Sequence, residues 1–155
     1  MNSENLNRWL TLGANIGVLI GIMLLIVELD QNRDMMRAQI RNELARGVSD
    51  FLPSIIDNRE FADALARAGA GESLTATEDL QINTWYDLVF GYWQNVHYQY
   101  REGLYDESEF SRHTDAISAV LRENPRSYSY WCRERLHYSE LFMEFIDDLF
   151  GGPSC

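Results

Sequence analysis

The chain has 155 residues, with 24 acidic side chains against 13 basic ones, for a net charge of -11; every basic residue is arginine. That length holds one modest domain, or one membrane helix plus a small bundle. That charge excludes a surface built to neutralise phosphates, so no nucleic-acid partner is expected.

In chain order, residues 1–8 form a short N-terminal flank, and 9–29 read as a transmembrane helix. From Leu10 to Val27 the only strongly polar residues are Thr11 and Asn15. At about 1.5 Å per residue the run covers roughly 27 Å, close to the hydrocarbon thickness of a bilayer. Trp9 stands at one end, where interfacial aromatics anchor spans. A cleaved signal peptide needs a charged start, a shorter apolar region and a small-residue cleavage site, whereas here the apolar run passes straight into ELDQNRDMMR. A core helix of a soluble protein is the competing reading, since such a helix is also apolar all round. The membrane anchor is the reading adopted.

Arg33, Arg37, Arg41 and Arg46 crowd the C-terminal flank, against Arg8 and the amine on the other side. The positive-inside rule then makes the rest of the chain cytoplasmic. Cys132 and Cys155 are too few for a disulfide framework, and as thiols they fit a reducing compartment.

Gly13, Gly17 and Gly21 make two overlapping G-x-x-x-G units, and at about 100° per residue Leu24, Glu28 and Gln31 share their sector. Small residues let helices approach closely in lipid, so the expected partners are the bilayer and further copies of this chain. In such a homo-oligomer Glu28, with Gln31 and Asp30 beside it, is the candidate for a ring of carboxylates at the cytoplasmic mouth of a cation-permeable pore. The bland reading of Glu28 is a side chain reaching the headgroups.

Residues 30–47 continue helical spacing through Met35, Met36, Ile40 and Leu44, so a helical extension is predicted to end at Gly47. An all-α bundle is predicted over 48–150, followed by a disordered tail, 151–155. Within it a short helix carries Pro53, and the next has Asn58 as N-cap and Gly69 at its end. TATE gives Thr75 and Glu78 the capping-box spacing. Leu80, Trp85, Leu88, Val89, Tyr92, Val96 and Gln99 recur at helical intervals up to Gly103. That helix should be the spine of the bundle. Further helices follow Asp106 and Pro125, and no strand pattern is present.

ELDQNRDMMRAQIRNE at 28–43, the glycine-bearing span before it, and YQYREGLYDES at 98–108 resemble a group of uncharacterised bacterial single-pass membrane proteins. The resemblance implies one N-terminal span and a helical cytoplasmic domain, and no activity.

Residue types that carry chemistry are sparse. Glu134 and His137 make one E-x-x-H pair and Glu109 and His113 lie one turn apart, but a di-iron bundle needs two such pairs and further glutamates, so no metal and no cofactor is expected. Trp85, Tyr92, Trp93 and His97 are the candidate lining of a ligand pocket, with a packed core as the alternative. Nucleophile, phosphate-loop and zinc signatures are absent, so an enzyme is not expected. Two readings remain: a homo-oligomeric membrane assembly, in its sharp form a pore, and a membrane-anchored scaffold or sensor whose helical domain binds a protein partner or a small ligand.

Overall fold

The computed structural model describes residues 3–150 and 155. All regular structure among them is helical: α1 (Ser3–Ile56), α2 (Arg59–Gly69), α3 (Ala76–Arg101), α4 (Glu107–Glu123), α5 (Pro125–Glu134), a 3-10 turn (Arg135–His137) and α6 (Glu140–Phe150). The chain divides into two compact units, Met1–Gln39 and Ile40–Cys155.

The first unit is the leading part of α1, and it is long and apolar enough to cross a membrane. None of its apolar stretch is buried within the chain.

The second unit begins with the rest of α1. The sequence predicts a stop at Gly47 and a fresh start before Pro53, but the helix runs unbroken to Ile56 with Pro53 inside it. Gly47 serves packing instead of ending the helix. A Cβ there would lie 3.2 Å from the ring of Tyr92, so the missing side chain admits that ring. Pro53 sits in the last turn, and its carbonyl still accepts from Asp57 N at 2.9 Å. Phe51, two residues earlier, holds the turn down through edge contacts with Trp85 and Tyr92.

The caps follow the sequence. Asn58 accepts from Phe61 N at 3.0 Å. Thr75 and Glu78 form the full capping box, with Thr75 N donating to Glu78 at 2.8 Å. Gly103, at φ +68°, takes the left-handed position that a Cβ would disfavour, and Leu104 N reaches back to Gln99 O at 2.9 Å. Asn124 ends α4 and caps α5 through Arg126 N and Ser127 N, while its amide donates to Tyr86 OH at 2.9 Å. One side chain therefore sets the angle between two helices and ties both to α3.

Helix α3 is the spine, with a different inward face from the one expected. Ile82, Tyr86, Phe90, Trp93, Val96 and His97 are buried, whereas Leu80 and Leu88 are exposed. Phe90 is fully buried and stacks on Tyr130 and Trp131 of α5. Phe142 and Ile146 of α6 close the same core. Burial of that many rings gives the bundle its largest favourable contribution, since each removes about 150–250 Å² from water. A second cluster joins Leu44, Val96 and Phe110, with Tyr100 stacked on Phe110 at 4.0 Å.

Cys132 and Cys155 are joined in a disulfide, with Cα atoms 5.3 Å apart. The reading of both as free thiols is thus corrected. The spacing of 23 residues hid the pair, because only the fold brings the last residue against α5. Of the predicted tail, residues 151–154 lie outside the described residues.

Candidate functional site

Two helices of the second unit present matching faces. On α1, Arg41, Leu44, Ala45 and Val48 stand at i, i+3, i+4 and i+7; on α4, Glu109, Arg112, His113 and Ala116 repeat that spacing. Each set occupies one side of its helix. Together with Tyr92 of α3 and Tyr105, from the turn before α4, they line a cleft of about 380 Å³.

The polar wall of the cleft is organised around one carboxylate. Glu109, only 14% exposed, is bonded by the Arg41 guanidinium, and Arg112 stands 3.9 Å away. Behind it His113 Nε2 and Tyr105 OH are 3.0 Å apart. Tyr92 OH donates to Leu44 O at 3.3 Å, which fixes its ring across the floor. Burial lowers the His113 pKa and the Arg112 charge lowers it further, so the imidazole is neutral at pH 7. Burial raises Tyr105, and raises Tyr92 to about 12, so both phenols keep their protons. With the imidazole and phenols neutral, the ionised lining groups are two guanidiniums and one carboxylate. In a chain of net charge -11 this is a locally positive, half-apolar recess.

The residues expected to line one pocket, Trp85, Tyr92, Trp93 and His97, turn to different neighbours. Trp85 packs between Phe51 and Phe61. Trp93 is buried against Phe90, and His97 stacks on Phe145 at 4.6 Å. These three belong to the core, because α3 is surrounded and turns them toward different neighbours. Tyr92 alone of the four lines the cleft. Sequence reasoning passes over Tyr105 and Arg112, and takes Arg41 only as a flanking charge and Glu109 and His113 only as a metal-spaced pair. The repeated spacing on two helices is a legible signal, but nothing in a linear chain says that those two faces meet.

In the first unit Glu28, Asp30 and Gln31 are exposed, as are Gly13 and Gly17. Along an unbroken helix Gly13, Gly17, Gly21, Glu28 and Gln31 stay within a sector of about 80°. Asp30 falls outside that sector, on the far side of the helix, so it does not extend the stripe. A Cβ at Gly13, Gly17 or Gly21 meets nothing within 4 Å.

Of the metal-spaced pairs, Glu134 and His137 make a surface contact at 3.2 Å, and Glu109 and His113 turn to Arg41 and Tyr105 respectively. Among the described residues no three His, Cys, Asp or Glu side chains cluster as metal ligands would. Cys132 is in the disulfide, and its neighbours Arg133 and Arg135 pair with Glu134 and Asp147. No family model, curated protein or solved structure matches the chain.

Proposed function

We propose that this chain is a single-pass membrane protein that associates with copies of itself through its span, with the helical bundle on the cytoplasmic side of a bacterial inner membrane. The observation that carries the reading is an 18-residue apolar window with 0% of it buried inside the chain. Burying apolar surface is worth about 25 cal/mol per Å², so a helix so composed needs a cover, and lipid with sister helices supplies it. Membranes washed with alkaline carbonate should retain the chain. A chain that stays dissolved in buffer as a monomer without surfactant would remove both the span and the assembly.

Self-association is tested apart from folding. The space around Gly17 is empty within one copy, so Gly17→Leu leaves the single chain undisturbed and burdens only a helix-helix contact. The substitution should weaken oligomers in nanodiscs about tenfold or more, which corresponds to roughly 1.4 kcal/mol. Unchanged mass would retire the glycine face.

The placement of Glu28 and Gln31 on the glycine side favours a more specific form, a cation-permeable pore with a carboxylate ring at its mouth. Reconstituted protein would then pass cations, and Glu28→Gln would cut conductance or selectivity. The cleft at Tyr92 favours the other form, an anchored sensor whose bundle takes up a ligand. A stable oligomer that does not conduct selects the latter.

A further inference from the structure

We propose that the cleft between the Arg41 and Arg112 faces binds a small organic monocarboxylate, its carboxylate on the Arg112 guanidinium and its apolar body over Leu44, Val48 and Ala116. The proposal deepens the anchored-sensor reading and rests on it.

Three features of the cleft set the ligand class. Its volume of about 380 Å³ is that of a small-molecule site. The lining mixes apolar helix faces with polar groups that converge from one side, Arg112 on Glu109 and Tyr105 on His113. Such a recess accepts an amphiphilic guest and orients it. Its charge then selects the head group. Arg41 is committed to Glu109, whereas Arg112 stands off at 3.9 Å with 75% of its side chain exposed, so its planar fork is open to a second carboxylate. The two guanidiniums exceed the one carboxylate by a single positive charge, which a monoanion matches. A phosphoryl dianion would place unmatched negative charge against Glu109, which is only 14% exposed and therefore weakly screened. A cation would meet two arginines.

The test uses sodium benzoate as probe and the neutral isostere benzamide as control, with full-length protein in phosphatidylcholine nanodiscs. Saturation-transfer NMR should show saturable benzoate binding, and benzamide at least tenfold weaker. Arg112→Gln removes a mostly exposed side chain and should weaken benzoate at least tenfold with thermal unfolding unchanged. Val48→Trp keeps both arginines, fills the floor and should abolish binding. Equal binding of benzamide and benzoate would overturn the ligand class and leave a sensor of neutral ligands. Inorganic phosphate displacing benzoate better than acetate does would overturn it in favour of a phosphoryl ligand. No saturable binding, or benzoate affinity untouched by either variant, would overturn the site itself, while carbonate extraction still decides the span.

Discussion

His97 shows how one position acquires two meanings. A histidine in an aromatic-rich run has the composition of a binding site, yet it is buried and flanked by Phe110, Phe142 and Phe145. Burial favours the uncharged ring and lowers its pKa from 6.5, with the Arg101 charge acting in the same direction. His113 is shifted the same way. The unfolded chain therefore takes up protons at a higher pH than the folded one. Stability from these groups is complete above pH 6.5 and is lost as pH falls through the lowered folded values. Thermal unfolding should move to lower temperature between pH 7 and pH 5, and His97→Phe should flatten that dependence. An unchanged slope in the variant would mean that other groups carry the acid sensitivity. Tyr130 likewise serves the core: its hydroxyl bonds Asp87 and meets Tyr138 OH at 3.2 Å.

At the level of elements, α1 and α3 both depart in detail from their sequence pattern, for one reason. Periodicity reports which residues are apolar, but neighbours decide which apolar face is covered. Gly47 looks like a helix end and is a notch for Tyr92. Gly47→Val should destabilise the bundle by about 2 kcal/mol through overpacking, because the Tyr92 ring is held by its bond to Leu44 and yields little. Chemical denaturation measures this, and a neutral result would show that the ring moves. The α3 face containing Leu80 and Leu88 stays exposed because the rings of Tyr86, Phe90 and Trp93 already meet α5 and α6 on the other side.

For the whole molecule, two units imply separable behaviour. Residues 40–155 contain both core clusters, so this fragment should be soluble and cooperatively folded without detergent. Aggregation of the fragment alone would show that the apolar helix is needed for folding. The disulfide supplies a second readout. If the bundle faces the cytoplasm, as proposed, it sits where thiols are kept reduced, and the Cys132–Cys155 bridge should open there. Alkylation of intact cells without reductant should then label both cysteines. Recovery of the bridged form alone would place the bundle on an oxidising side and reverse the orientation drawn from the flanking arginines.

The sequence by itself determined the all-helical class, the apolar first helix and the caps at Asn58, Thr75 and Gly103. These depend on composition and on spacings of a few residues, and the physics that reads them is local. Only the tertiary structure decided that Tyr92 belongs to a cleft while Trp85, Trp93 and His97 belong to a core, and that Cys132 meets Cys155. It also decided that Arg41 and Glu109, distant in the chain, share one ion pair. Such pairings arise when helices dock, and docking is set by the fit of whole faces, a property that no single segment carries.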